Sequence, residues 1–464
     1  LLTIVFGTII LLFLLVNNIH VQTFLAQKIA SQFNEQYGTD LKIKTAGLKL
    51  NGKVDLGNFL ILDHKKDTLI YFRSLDLTPR SLQKIISNDL NFNSIDFDGL
   101  KINIEKYKND LKTNIELFVN KLNNDKKSKN LDKEFNLKIN KLYGSKNLLS
   151  FVDQNNPKSD LEISKLNMNI SDLTFSNRNL KLYVNELNFK NNQGVDLNQF
   201  SSNINLNATN KTFDLENLDL NFGSSSLSTV INLDYSKIVE YNLSNIKNFD
   251  SLYVNVKILN SNIFLPDLNS INKMIDVSDT SNWSLKSELK GYFADLSIVN
   301  AEFSSKNDII KFNGRLSNFL KINEKSLLNF NFEKIKTSSD RINLIFPKAF
   351  GTILPSSAKS LGVFNFKGNL KIKSDEIQSK FNLNLEEGIV DAFLKISDFS
   401  NIDNSVYEGS LTGKDLNISK FLNFKSIGKS NFKFDVKGRG FTTQYLDSKV
   451  TGRIENLFFK NLIL

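Results

Sequence analysis

The stretch LYVNVKI, residues 252–258, alternates apolar and polar residues along its whole length. Its apolar residues stand two apart, with Tyr253, Asn255 and Lys257 between them. Side chains of a β-strand point alternately to its two faces, so the pattern predicts a strand with one apolar and one polar face. Parallel strands buried under helices are instead apolar on both faces. The alternation therefore favours a largely antiparallel sheet that exposes one face to water.

The same alternation recurs from residue 40 onward. The apolar members of these further strands are Leu41 and Ile43; Ile102 and Ile104; Phe135, Leu137 and Ile139; Phe381, Leu383 and Leu385; and Phe432, Phe434 and Val436. We therefore predict a mainly β chain.

Three of the alternating runs contain one step of three residues. The apolar positions are Leu161, Ile163 and then Leu166; Phe213, Leu215 and then Leu218; and Phe330, Phe332 and then Ile335. A flat strand would turn the later residues to the other face. Either a β-bulge keeps them on one face, or a tight bend separates two short strands.

Short helices are predicted between the strands. An amphipathic helix covers residues 21–33 and ends at Gly38, and it fits a cap on the first sheet better than a membrane-surface helix, because its polar side lacks a basic cluster. Further helices are expected at residues 78–87, 111–122, 265–275, 347–361 and 416–422. The last three precede strands with an apolar-Lys-Gly step, which indicates a repeated unit and an elongated solenoid.

Composition excludes several function classes. The 464 residues include no Cys and two His, which removes thiol nucleophiles, disulfides and most zinc sites. His64 lies in the polar sequence DHKKD, which is more typical of a solvated turn than of a metal or acid–base loop. No nucleotide-binding or hydrolase motif is present. We expect neither an enzyme nor a cofactor.

The charge of the chain is dispersed. Lys and Arg number 59 against 49 Asp and Glu, a net charge of +10. The densest basic cluster, Lys126, Lys127 and Lys129, has acidic neighbours. Because a nucleic-acid-binding surface concentrates basic residues in one stripe, we expect no nucleic-acid partner.

The chain opens on an uncharged apolar run, residues 1–16. It lacks an initiator Met and a signal-peptide cleavage site, so we expect a retained transmembrane anchor rather than a cleaved signal or a buried core helix. The anchor residues are Ile4, Val5, Phe6, Ile9, Ile10, Leu11, Leu12, Phe13, Leu14 and Leu15. The strand-like end at residues 458–464 suggests that the chain is a fragment at both ends.

A sheet of this size has to curl. If about 430 residues form 25 to 35 strands at about 4.8 Å each, the sheet runs about 120 to 170 Å. Curling with the apolar face inward gives a groove for a long apolar ligand, and Phe, at 38 residues, suits such a lining because it has no polar tip. An ordinary sandwich core is the alternative. The groove candidates are Leu252, Val254, Val256, Phe330, Phe332, Phe364, Phe366, Phe381, Leu383, Phe432, Phe434 and Val436.

The order of several segments after the anchor resembles a known family. These segments are VQTFLAQKIASQFNEQYGTDLKIKTAGLKLNGKVDLGNFLILDHKKDTLIYFRSLDL (21–77), SLQKIISNDLNFNSIDFDGLKINI (81–104), LPDLNSI, FNGRLSNFL, LGVFNFKGNLKI and YEGSLTGKDLNISKFLN. Together they resemble the TamB family, the translocation and assembly module subunit, in its Bacteroidota-like form, within the wider AsmA-like group.

The resemblance implies a single-span inner-membrane protein whose bulk lies in the periplasm. It implies an elongated, twisted, taco-like β-groove that carries phospholipid toward the outer membrane, and an Omp85-type outer-membrane barrel as partner. The domains would be an anchor (1–19), an AsmA-like helix and β segment (20–122), a charged linker (123–134) and groove repeats (135–464).

Two other functions stay open. The first is a scaffold or chaperone that pairs its sheet edge with nascent outer-membrane strands without conducting lipid. The second is a secreted adhesin-like repeat, which would require cleavage of the anchor.

Overall fold

The computed structural model describes residues 18–49, 52–81, 89–123, 136–176, 179–238, 246–271, 279–319, 325–345, 361–401, 403–418, 427–442, 444–459 and 462–463. The chain forms two compact units, Leu1–Gly223 and Ser224–Leu464. Both are mainly β, as the alternation predicts.

The first unit contains two α-helices and ten strands among its described residues. They are α1 (Ile19–Tyr37), β1 (Asp40–Leu48), β2 (Val54–Leu62), β3 (Thr68–Pro79), β4 (Asp89–Asp98), β5 (Lys101–Lys106), α2 (Asn114–Asn123), β6 (Asn136–Asp153), β7 (Leu161–Ser176), β8 (Asn179–Asn191), β9 (Asp196–Asn207) and β10 (Thr212–Phe222).

The sheet of the first unit is antiparallel except around β6. Strands β4 and β5 share one position in the sheet, because both pair with β3 on one side and with β6 on the other. They are separated at Gly99, whose φ of 64° suits a residue without a side chain. Both pair with β6 in parallel, which the sequence does not predict. The remaining neighbours pair antiparallel.

The second unit contains two short helices and thirteen strands among its described residues. They are β11 (Ser225–Asp234), β12 (Tyr253–Phe264), α3 (Leu265–Ile271), β13 (Asn282–Tyr292), β14 (Asp295–Ser304), β15 (Ile309–Ser317), β16 (Leu327–Ser338), α4 (Ser339–Ile345), β17 (Val363–Lys373), β18 (Glu376–Leu385), β19 (Gly388–Ser397), β20 (Val406–Asn417), β21 (Ile427–Arg439), β22 (Asp447–Phe459) and β23 (Leu462–Ile463). Each strand pairs antiparallel with the next along the chain.

The three-residue steps are β-bulges. Strands β7, β10 and β16 continue through them, and each pairing shifts register at the step. Lys165 and Asn217 take the left-handed conformation there, with φ of 52° and 50°. A bulge sets two residues against one on the partner strand, so the apolar residues before and after it stay on one face. The tight bend is the wrong alternative at all three places.

The helix predictions had mixed outcomes. Helix α2 confirms the helix at 111–122, and α3 confirms the first part of the helix at 265–275. Thr78 and Pro79 end strand β3 instead of opening a helix, and residues 82–88 lie outside the described part. The predicted helix at 347–361 also lies almost wholly outside it. Helix α4 precedes that segment and was not predicted.

Among the described residues, no helix combines the length and apolarity that a membrane span requires. The predicted anchor residues, 4–15, lie outside the described residues, so the anchor stays a prediction. The predicted linker at 123–134 also lies almost entirely outside them. The strands before and after it, β5 and β6, pair with each other in the same sheet.

Candidate functional site

The pairing of the strands in the second unit brings their apolar side chains to one face of the sheet. A single row of directly paired residues crosses twelve strands, from β11 to β22: Ile231, Val256, Leu289, Ile298, Gly314, Phe330, Leu370, Ser379, Leu394, Gly409, Val436 and Val450. Ser379 is the one polar side chain in this row. At about 4.8 Å per strand, the row extends about 50 Å along the sheet. We call the side of the sheet that carries this row the apolar face.

The predicted groove residues lie on this face. Val256, Phe330 and Val436 belong to the row itself. Val254, Phe332, Phe364, Phe366, Phe381, Leu383, Phe432 and Phe434 pair in register with other members of the face. Leu252 immediately precedes β12, two residues before Val254. Register thus places eleven of the twelve on one side, with Leu252 just before the strand, and their role stays a prediction.

One end of the apolar face is a closed core. Phe364, Leu385, Val390, Leu416 and Phe432 form a buried cluster at the strand ends. Partly buried Ile342 of α4 packs against the cluster. The helix that the sequence did not predict therefore covers this end.

Beyond the five residues of that cluster, the apolar face is partly open. Phe330, Phe332, Phe366 and Phe381 are only half-buried. Leu411, which pairs with Phe434 on this face, is 39% exposed, and Val450 and Ile454 of β22 are 60% and 51% exposed. A sandwich core would bury these side chains completely. The described part of the face therefore offers apolar surface to a ligand.

Phenylalanine rings run across the open part of the face as a ladder. Ring centroids lie 6.1 Å apart for Phe303 and Phe312, and 5.7 Å apart for Phe312 and Phe332. The ladder continues through Phe332 and Phe366 at 5.9 Å and through Phe366 and Phe381 at 5.3 Å. It thus crosses five strands, β14 to β18. These contacts hold the rings in fixed positions, and no ring carries a polar group that needs a partner.

The opposite side of the sheet is polar. In β17, Asn365, Lys367, Asn369, Lys371 and Lys373 are all exposed and alternate with residues of the apolar face. The sheet therefore separates an aqueous face from an apolar one, as the alternation predicts.

A buried charge cluster fastens α4 to the strand ends. The Arg341 guanidinium bonds the Asp279 carboxylate at 2.9 Å and the Asp308 carboxylate at 3.1 Å, and both aspartate side chains are only 2% exposed. Burial raises the pKa of Asp279, but hydrogen bonds from Ser281 and Trp283 and the Arg341 charge outweigh it and hold this pKa below its usual value. The charged groups of this cluster bond one another, so we assign it a structural role.

The DHKKD turn is organised by a buried carboxylate. Asp63 is 5% exposed and accepts hydrogen bonds from Tyr107 Oη at 2.6 Å and Asn114 Nδ2 at 3.0 Å. The prediction of a fully solvated turn is therefore wrong at Asp63. Burial alone would raise the pKa of Asp63. The two side-chain bonds and two backbone N–H groups lower this pKa by more, so that it lies below its usual value. Burial and the nearby carboxylates raise the pKa of Tyr107.

The described residues hold no group of three or more His, Cys, Asp or Glu that could bind a metal ion. His64 Nε2 lies 3.6 Å from Asp110 and its ring lies edge-on to Tyr107, in the same turn region.

No family model, curated protein or solved structure matches this chain.

Proposed function

We propose that the chain is a membrane-anchored carrier that moves phospholipid along its apolar face. The observation that carries the proposal is the row across twelve strands, in which Ser379 is the one polar side chain, together with the partly buried phenylalanine ladder. In this proposal the sheet curls into an elongated groove, acyl chains lie on the apolar face, and headgroups stay toward water.

The energetics suit a ligand that slides. Each acyl CH₂ removed from water stabilises the bound lipid by about 0.8 kcal/mol, wherever it lies on a uniform apolar surface. A lipid that advances by one strand exchanges one phenylalanine or aliphatic neighbour for another. No single position then holds the lipid much more tightly than the next, so movement along the face meets low barriers.

The sequence resemblance extends the proposal to a cellular context. If the chain is a TamB or AsmA-like protein, its anchor sits in the inner membrane, its bulk lies in the periplasm, and it delivers phospholipid toward an Omp85-type barrel in the outer membrane. This part rests on the quoted segments alone.

The test compares charges placed on the two sides of one strand. Phe332→Asp puts a carboxylate on the apolar face, and Asn331→Asp puts one on the exposed polar face one residue away. Leu411→Asp and Thr412→Asp repeat the comparison at a position open enough to accept a charge without unfolding. The full chain is purified in native nanodiscs, bound phospholipid is quantified by mass spectrometry, and transfer to acceptor vesicles is followed.

We expect Phe332→Asp and Leu411→Asp to lose most transfer, and Asn331→Asp and Thr412→Asp to keep it. Fluorescence of Trp283, the single tryptophan of the chain, reports folding of the second unit. Equal transfer by a folded Leu411→Asp and by wild type would refute lipid conduction along this face.

A scaffold function is the second candidate, and the edge of β22 favours it. Among the described residues, β22 pairs with β21 along most of its length and with β23 only at Phe458 and Phe459. Within the described residues the rest of this edge has no partner strand, and in this second proposal a nascent strand adds there.

Proline substitution tests the scaffold. Successive N–H groups point to opposite edges of a strand, so one of Val450→Pro and Thr451→Pro removes a donor from the open edge. The scaffold predicts lost outer-membrane assembly in that variant with normal lipid transfer. The carrier predicts that assembly fails only where transfer fails.

A further inference from the structure

Several polar side chains of helix α1 bond the sheet of the first unit, beside its one buried residue, Ala30. The Gln22 side chain accepts from Leu48 N at 2.8 Å and donates to Leu48 O at 3.1 Å. Thr23 Oγ1 bonds both N and O of Ala46, at 2.9 and 3.2 Å. These bonds occupy backbone groups along the edge of β1, so the helix takes the place of a neighbouring strand.

Further bonds extend this docking along the helix. Gln27 Nε2 donates to Ile43 O at 2.9 Å, and Asn34 bonds both N and O of Leu41, at 2.7 and 2.8 Å. The polar side chains of α1 are thus committed to the sheet edge over more than three turns. This confirms the predicted cap on the first sheet.

Large apolar side chains remain on the outside of α1. Phe24 is 64%, Leu25 51% and Ile29 67% exposed. They lie at helical spacing on one side of α1, away from β1. Burial of one such side chain is favourable by about 1.5–3 kcal/mol. An apolar partner that covers this side of α1 would gain this free energy for each side chain.

Charge does not select the partner of this side. Lys28 and Glu35 are both exposed on it, so it carries no net charge. Its three large apolar side chains, rather than a basic cluster, therefore fit the interfacial region of a bilayer.

The start of α1 points to the same partner. The helix begins at Ile19 behind the N-cap Asn18, whose side chain accepts from His20 N at 2.9 Å. The uncharged apolar run 1–16 ends immediately before this cap. At 1.5 Å per residue, Ile29 lies about 15 Å along the helix from Ile19, close to the point where an anchor would leave the bilayer.

We propose that α1 lies along the surface of the bilayer that holds the anchor, with Phe24, Leu25 and Ile29 inserted into its interfacial region. The inference rests on the anchor of the proposed function. It places the edge of β1, and with it the beginning of the first unit's sheet, against the lipid from which acyl chains would enter.

Spin labels test this in the full chain, which has no native Cys. Single variants Phe24→Cys, Ile29→Cys and, as the control near the far end of the helix, Glu35→Cys are labelled and reconstituted in phosphatidylethanolamine–phosphatidylglycerol nanodiscs. Power saturation compares collisions with oxygen, which concentrates in lipid, and with a water-soluble nickel chelate. We expect positions 24 and 29 to favour oxygen by at least several-fold over position 35.

Each other outcome overturns the inference. Nickel access at 24 and 29 equal to that at 35 means a face in water. Protection from both reagents means a protein cover, such as residues 1–17 folded back, and line broadening that disappears on dilution with unlabelled chain means a second copy. Carbonate extraction distinguishes failure of the proposed anchor from failure of the proposed placement of α1. A chain released by carbonate refutes the anchor, whereas a retained chain with water-accessible labels refutes only the placement of α1.

Discussion

Gly413 on β20 faces Phe432 on β21 in direct register, and the phenylalanine ring fills the space above the glycine. A Cβ atom built on Gly413 would lie 2.4 Å from Phe432 Cε1. The pattern recurs in the second unit, where Gly314 faces Phe330 and Gly438 faces Tyr407. In each pair a missing side chain lets a ring lie flat against the neighbouring strand.

We therefore expect Gly413→Ala to destabilise the second unit by about 1–3 kcal/mol, because its methyl group collides with a buried ring. In the double variant with Phe432→Leu the methyl group has room, so its cost falls by at least about 1 kcal/mol relative to the single change. Urea unfolding of the four proteins, followed by Trp283 fluorescence, measures this coupling. Additive losses would show that the ring does not constrain the glycine.

The bulge in β10 makes a prediction about deletions. Asn217 is the extra residue, since Glu216 pairs with Asn203 and Asp219 with Ser201. Removing Asn217 restores strict alternation and keeps Leu218 and Phe222 on their face. Removing Asp219 turns the residues after it to the opposite face.

The chain lacking Asn217 should therefore fold with its first unit intact. In the chain lacking Asp219, the apolar residues of β10 after the deletion should be exposed to water. Limited proteolysis and amide exchange of peptides from residues 179–223 distinguish the two. Similar protection in both deletion variants would contradict the assignment of the bulge.

How far the sequence predicts this protein depends on whether the signal is local. Alternation and the three-residue steps report strand faces and bulges directly, because side chains alternate with a period of two. The parallel pairing of β6 is invisible in β6 itself, since its partners lie earlier in the chain and its alternation fits either direction.

The candidate site shows the same division. Eleven of the twelve groove residues share a face because the side on which each lies follows from local alternation. The charge cluster was missed because Arg341 lies 62 residues from Asp279, and no pattern links them. The bonds from Gln22 and Thr23 of α1 to the edge of β1 were not predicted, because helical spacing does not report which backbone groups a side chain will reach.

Loss of Arg341 should destabilise the second unit in a pH-dependent way. Arg341→Met leaves Asp279 and Asp308 buried without their counter-charge, which typically costs about 3–5 kcal/mol. The folded-state pKa of Asp279 is lowered in wild type, so its contribution to stability is present above the unfolded value of about 3.9 and is lost as pH falls through the folded value.

The difference between Arg341→Met and wild type should therefore be largest near neutral pH and shrink below about pH 4. Urea unfolding followed by Trp283 at several pH values measures it, and Asp435→Asn, an exposed change on β21, provides the control. A deficit that stays constant with pH would exclude the carboxylates as its cause.

The side-chain bonds between α1 and β1 should keep the sheet edge from pairing with other chains. Gln22→Ala and Thr23→Val together remove four bonds to the edge while leaving Phe24 and Leu25 in place. An uncovered edge strand is a template for pairing with another chain, so we expect intermolecular strand pairing as well as a stability loss of about 1–2 kcal/mol.

Gln32→Ala, on the exposed side of the same helix, is the matched control. A single reporter cysteine at Lys44, exposed on β1, should form disulfide-linked dimers in the double variant and not in the control, because antiparallel pairing of two β1 edges brings this position near its copy. Equal dimer yields would mean that something other than these bonds protects the edge.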